Sequence, residues 1–110
     1  MPETKFIRLT PNELDILHIL FADPRDVYGL AIFKRINKVR TSGDFNFGKI
    51  GYGSFYAALK KLEREGLITS SAPEEDKRKK YYGITNLGSK LLQVNVQFIQ
   101  SINSREALIQ

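Results

Sequence analysis

Apolar positions recur at helical spacing in four stretches of the chain, and a short alternating stretch separates the third from the fourth. In the first helical stretch, Leu14, Leu17 and Phe21 fall on one side with Ile16 and Leu20 beside them, so most of this helix is expected to be buried. Its start is explicit: Thr10 is placed as N-cap, Pro11 takes the first helical position, Glu13 closes a capping box, and Leu9 can staple onto Leu14. The run "ADPRD" ends it. A second helix is expected from just after Asp26 to about Val39, with Ile32, Phe33, Ile36 and Val39 at core spacing and Lys34, Arg35 and Lys38 outward. The connector "RTSGDFNFGK" follows, where Phe45 and Phe47 alternate as in a short strand.

The third helix lies in "GYGSFYAALKKLEREGLI" (residues 51–68) and has two unlike faces. At 100° per residue, Phe55, Ala58, Leu59 and Leu62 cluster on one side. The other carries Gly53, Ala57, Lys60, Lys61 and Arg64: bare toward the N-terminus, cationic toward the C-terminus. Gly66 is the expected left-handed stop, with Leu67 set to touch Leu62 in a Schellman motif. "LITSS" and "KYYGI" then read as two strands of a hairpin whose tip, "APEEDKRK", is long and charged. In a regular strand Tyr81 and Tyr82 face opposite ways, and the sequence does not decide which is buried. Thr85 caps a last helix able to run almost to Gln110. Three short helices, a hairpin and a helix outline a winged helix-turn-helix: mainly α with a small β-hairpin, α+β in class. Residues 1–85 form the winged-helix domain and 86–110 the terminal helix of the same compact unit.

Charge sharpens this outline. The chain carries a net +5, and twelve basic against six acidic residues lie between Lys34 and Lys80, so the whole excess is central. Such a concentration suits a polyanion, although a charge run by itself also fits a solvated face. The wing run Lys77, Arg78, Lys79, Lys80 has the same two readings, because Glu74, Glu75 and Asp76 stand just before it. With 110 residues, 42% of them hydrophobic, the chain suits one domain. No apolar run approaches a membrane span, and residues 1–8 lack a signal pattern, so a cytoplasmic location is expected. The absence of cysteine excludes disulfides, thiolate nucleophiles and Cys/His zinc sites within the chain. "GYGSFY" holds only two glycines of a dinucleotide fingerprint, and His18, within an apolar helix, reads as a buried structural histidine. Neither enzyme activity, nor a metal, nor a cofactor is expected.

The segments "LTPNELDILHIL", "YGLAIFKRI", "GSFYAALKKLEREGLI" and "KKYYGITNLG" resemble, in order and spacing, PadR-type transcriptional regulators of the short form with a single C-terminal dimerisation helix. The resemblance covers nearly the whole chain and departs from the usual pattern at Leu30, Gly51-Tyr52 and Ala57. It implies a dimeric winged-helix repressor with the third helix in the major groove and the wing on the backbone. The residues agree: base-reading positions lie near a recognition helix's N-terminal half, here Tyr52, Gly53, Ser54 and Ala57, with Lys60 one turn on. Tyr52 and Ser54 suit bases or phosphates, Ala57 an apolar contact such as a thymine methyl, and Lys60 a guanine edge or a phosphate. Lys49, Lys61 and Arg64 suit phosphates, as do Lys77, Arg78, Lys79 and Lys80 of the wing.

On the last helix Leu87, Leu91, Leu92, Val94, Val96, Phe98, Ile99 and Ile102 spread over an arc of roughly 200°, about twice what one packing surface needs. A homodimer through Leu91, Leu92, Val94, Asn95, Phe98, Ile99 and Ile102 is therefore expected, with Asn95 fixing register and a palindromic operator following from two-fold symmetry. The drug-stacking tryptophan of some PadR relatives is missing and Phe98 is the only aromatic residue here, so a small-molecule effector stays open without support. The competing reading is a winged-helix protein-interaction module without sequence-specific DNA binding.

Overall fold

The computed structural model describes residues 7–23, 25–44 and 46–104. Its elements run α1 (Pro11–Ala22), β1 (Val27–Tyr28), α2 (Gly29–Arg40), α3 (Tyr52–Arg64), β2 (Ile68–Ser71), β3 (Tyr81–Ile84) and α4 (Asn86–Asn103). The fold is that of a winged helix: a helical body with a small antiparallel sheet, mainly α.

Local signals set the helix ends. At α1 the Thr10 hydroxyl accepts from the Glu13 amide at 3.2 Å, while the Glu13 carboxylate accepts from the Thr10 amide at 2.8 Å. The capping box is complete, with Pro11 at the first turn. At the end of α3, Gly66 adopts φ 76°, its amide donates to the Glu63 carbonyl at 3.0 Å, and the Leu67 amide donates to the Leu62 carbonyl at 2.9 Å. That is the Schellman pair.

The core gathers Leu17 and Leu20 of α1, Ile32 and Ile36 of α2, Phe55, Leu59 and Leu62 of α3, and Leu91 and Leu92 of α4. Periodicity overreaches at two helix ends. Phe21 is 52% exposed and Val39 65% exposed, because each stands in a final turn where the apposed surface has run out. His18 is exposed rather than buried. A helical wheel gives the direction of a face, not the length over which a neighbour covers it.

The sheet has three strands, in the order β1-β3-β2. Val27 and Tyr28, expected near the start of the second helix, instead pair antiparallel with Tyr82 and Tyr81. Two residues carry no periodicity of their own, so this strand exists only through its partner. Tyr82 is buried and Tyr81 is half-buried against Tyr28, ring centroids 5.6 Å apart. Residues 46–50 form no strand and Phe47 is well exposed; Phe45, the other half of that expectation, lies outside the described residues. The last helix closes at Asn103 with an extended C-cap at Ser104, and residues 105–110 lie outside the described part.

The wing, α3 and α4 meet at Leu67. Its carbonyl accepts from the Thr85 amide at 3.0 Å, and the Thr85 hydroxyl donates to the Gly66 carbonyl at 2.8 Å while capping the Gly88 amide. A Cβ on Gly88 would stand 2.1 Å from the Leu67 carbonyl oxygen. Glycine is therefore required for α4 to start so close to the α3 stop. Replacing Gly88 by Ala is expected to cost about 2 kcal/mol or more. The melting temperature should fall by about 10 °C; melting like the wild type would mean that this junction yields without cost.

A second joint is polar. Glu13 is only 3% exposed, and its carboxylate takes the Lys61 ammonium of α3 at 3.1 Å in addition to the Thr10 amide. Burial alone pushes the Glu13 carboxyl up, but the Thr10 amide, the Lys61 ammonium and the Thr10 hydroxyl together hold it below the ordinary value of 4.5. A depressed folded value means that the charged carboxylate stabilises the fold above about pH 4.5 and that this contribution is lost as pH falls through the folded value. Thermal melts between pH 6 and 3 should therefore show a steeper acid decline in the wild type than in Glu13→Gln. Equal slopes would remove Glu13 from the acid response.

Candidate nucleic-acid interface

The two ends of α3 are fixed differently, and together they present one face. At the N-terminal end Phe33 of α2 meets Tyr52 edge-on at 5.5 Å and Phe55 at 5.3 Å, and the Tyr52 ring packs against Tyr56 at 4.6 Å, tilted by 44°. These rings seat the first turn on α2. Gly51, the N-cap, supplies no side-chain cap, so the first amides of α3 are left at the positive end of the helix dipole. Burial and the neighbouring Tyr52 hydroxyl push the Tyr56 phenol up to about 12. At the other end the Ser70 hydroxyl donates to the Glu63 carboxylate and ties β2 to the helix.

What remains outward is the slim face. Tyr52, Gly53, Ser54, Ala57, Lys60 and Arg64 are all exposed, as is Lys49 just before the helix. A Cβ on Gly53 would meet nothing within 4 Å. Lys61 departs from this set: it leans toward α1, where the bond to Glu13 occupies its ammonium and raises its pKa. Its evident role is to hold the helix rather than to reach outward. In the wing Lys77, Lys79 and Lys80 are exposed, and Arg78 pairs with Asp76 at 3.2 Å while its side chain stays 92% exposed. Such a surface pair is weak and easily exchanged. The acidic residues of the wing thus engage one of its four cations among the described residues.

The terminal helix sorts less simply. Leu91, Leu92 and Asn95, expected at an interface between two copies, are buried within the protomer. Asn95 is spent on the chain's own backbone: its Oδ1 accepts from the Leu9 amide at 2.7 Å and its Nδ2 donates to the carbonyls of Ile7 (3.1 Å) and Leu91 (2.9 Å). A polar residue within an apolar arc looks alike from the sequence whether its partner is a second helix or an N-terminal segment. Val94 is half-buried. Phe98, Ile99 and Ile102 remain 45%, 38% and 46% exposed, with Leu87 at 47%.

Sequence reasoning missed Phe33 as the support of Tyr52 and Ser70 as the tether of the wing. Phe33 carried a signal, its core spacing, but not its neighbour; Ser70 carried none. Among the described residues no three His, Asp or Glu side chains gather to hold a metal, and no helix is long and apolar enough to cross a membrane.

Solved structures share this architecture. RosR from H. salinarum superposes with a TM-score of 0.67 at 26% identity, over 89% of this chain and 82% of that one. A transcriptional regulator from Clostridium thermocellum gives 0.68 at 31% identity, over 80% of this chain and 81% of its own. The S. aureus MepR–DNA complex gives 0.63 at 22% identity, over 91% of this chain and 72% of that one, a likeness of fold alone. No curated protein matches the chain. The model of the transcriptional regulator PadR-like family matches residues 16–94. Running from Ile16 within α1 to Val94 midway along α4, that match makes the chain a member of the PadR-like family, a family of transcriptional regulators and not of enzymes.

Proposed function

We propose that the protein is a sequence-specific double-stranded DNA-binding regulator, acting as a homodimeric repressor. The observation that carries this is the outer face of α3: small at Gly53 and Ala57, cationic at Lys60 and Arg64, and exposed from Tyr52 onward. A major groove about 12 Å wide accepts a helix only if the inserted side is slim, and the bases it reads are those beside its first turns. Tyr52, Ser54, Ala57 and Lys60 are the base-facing set in this reading. Lys49, Arg64 and the wing cations Lys77, Arg78, Lys79 and Lys80 hold phosphates and fix the register.

Dimerisation follows from what α4 leaves uncovered. Phe98, Ile99 and Ile102 lie about one turn apart at i, i+1 and i+4, exposed toward the end of a helix whose buried residues are Gly88, Leu91, Leu92 and Asn95. A second copy related by a two-fold axis covers that patch with the same patch of its own. The two α3 helices then read a palindromic operator, two half-sites about one turn of duplex apart. Occupying a promoter is enough to block it, which is why the reading is repression.

Two measurements test this. Binding to duplex carrying the operator should weaken with salt at a log–log slope near −0.9 for each phosphate contacted, and Arg64→Ala or Lys79→Ala should make the slope shallower by about 0.9 each. A salt-insensitive interaction would favour a protein-docking module instead. Phe98→Asp should sediment as a monomer at concentrations where the wild type is a dimer, and should bind the operator at least tenfold more weakly through loss of the second half-site. Retention of dimeric mass would move the interface off α4.

A further inference from the structure

Four rings at the start of α3 close on themselves. Phe33 meets Tyr52 at 5.5 Å and Phe55 at 5.3 Å, Tyr52 meets Tyr56 at 4.6 Å, and Tyr56 meets Phe55 edge-on at 5.0 Å, so the contacts form a complete circuit. Phe55 is fully buried and anchors the circuit in the core, whereas Tyr52 at the opposite corner is exposed. An exposed tyrosine ordinarily keeps its rotamer freedom and loses it, at a cost in free energy, only when it binds. Here that freedom is already lost on folding, because the ring pairs on either side of Tyr52 fix its distance and direction. The phenol is thereby preset at the end of α3 whose first turns stand beside bases in a major groove. Its hydroxyl is preset as well. Burial first, and then a hydrogen bond with the Tyr52 hydroxyl, raise the Tyr56 phenol, and a bond that resists loss of the Tyr56 proton is one in which Tyr56 donates. The Tyr52 oxygen is then the acceptor, and its own O–H is left to donate outward.

We infer that Tyr52 reads a purine by donating its hydroxyl to the base's N7, and that Phe33 and Tyr56 are the positioning residues of this readout, acting through the Tyr52 ring without touching the base. The inference rests on the DNA-binding reading above and names the class of base that one position of each half-site must carry. N7 is the major-groove acceptor that adenine and guanine share. At the corresponding place a pyrimidine carries C5, with a methyl group in thymine, and accepts nothing. A single donor held there takes either purine and loses its bond to either pyrimidine. Transitions are therefore tolerated at this position and transversions are not. The ring circuit matters because a hydrogen bond discriminates only if its donor arrives at a fixed distance and angle, and an unsupported phenol could swing to a phosphate or to water instead.

The test uses the full chain and operator duplexes in which each position of the half-site is changed in turn. The wild type should show one position where both purines bind alike and both pyrimidines bind about fivefold more weakly. Replacing that purine by its 7-deaza form, which lacks the acceptor, should weaken binding by the same factor. In Tyr52→Phe, which keeps the ring and loses the hydroxyl, both effects should vanish at that position while preferences elsewhere stand. Phe33→Leu keeps the hydroxyl and loses its support, so it should lose the same single preference. Its salt slope should match the wild type, because no charge has changed. A fault in folding would instead weaken binding to every duplex alike. Should Tyr52→Phe discriminate like the wild type at every position, the inference is overturned and the DNA-binding reading stands. A Phe33→Leu protein that retains the preference lost in Tyr52→Phe overturns the positioning role. If the wild type binds no duplex, both readings fall.

Discussion

The arrangement of this molecule turns on one buried carboxylate. Glu13 closes the N-terminus of α1 by accepting the Thr10 amide and takes the Lys61 ammonium of α3 on its other oxygen. Hydrophobic burial brings α1 and α3 together through Leu17, Leu20, Phe55 and Leu59, but burial has no direction and tolerates rotation of one helix over another. A charge-assisted bond at about 3 Å does not. The residue beside the same cap extends the constraint: Leu9, next to Thr10, donates its amide to Asn95 of α4. Polar bonds thus connect α4 to the start of α1 and the start of α1 to the middle of α3. Among the described residues no buried side-chain polar atom is left without a hydrogen-bond partner.

With α3 held in pitch by Lys61, its two ends can be specialised. The aromatic contacts of Phe33, Tyr52 and Tyr56 stiffen the end that reads, and the Schellman stop with the Gly88 contact fixes the end from which the wing departs. The Ser70 to Glu63 bond then sets the wing against the helix. A reading head needs this order of construction, since a helix entering a groove gains sequence discrimination only if its side chains arrive at fixed distances from the base edges.

The parts of this design legible in the sequence are those whose cause is local. Thr10, Pro11 and Glu13 announce α1, and Glu65, Gly66 and Leu67 end α3 with chemistry confined to a few neighbours. The core face of α3 is legible because Phe55, Leu59 and Leu62 repeat every third or fourth residue. What escaped has its cause elsewhere in the chain. Val27 and Tyr28 are a strand only because Tyr81 and Tyr82 offer an edge. Asn95 reads from the sequence as a register device between helices, whereas its side chain clasps the backbone of Ile7 and Leu9, which carries no side-chain signature. Leu91 and Leu92 belong to an arc that reads as an interface between two copies, and the domain's own core covers that part of it. Lys61 sits on the cationic face in any wheel, yet its length lets the ammonium reach back to α1.

The fate of Lys61 shows how a chain of net charge +5 divides its cations. Arg40 is spent on Asp15 at 2.8 Å and on the Asn12 amide oxygen at 2.7 Å, closing α2 against α1. Lys61 is spent on Glu13. Both reach across to a carboxylate of α1, and the one that Lys61 meets is buried, where an unpaired charge would be costly. The cations of the outer face of α3, Lys49 just before it and most of the wing meet no such partner among the described residues. Acidic residues are available, since Glu74, Glu75 and Asp76 stand immediately before the wing lysines, and only Asp76 is engaged there. The separation is therefore not a shortage of anions but a matter of placement. Carboxylates are used where they lock helices and kept off the surfaces where an external polyanion would have to displace them, so little ion-pair energy is lost when a phosphate arrives.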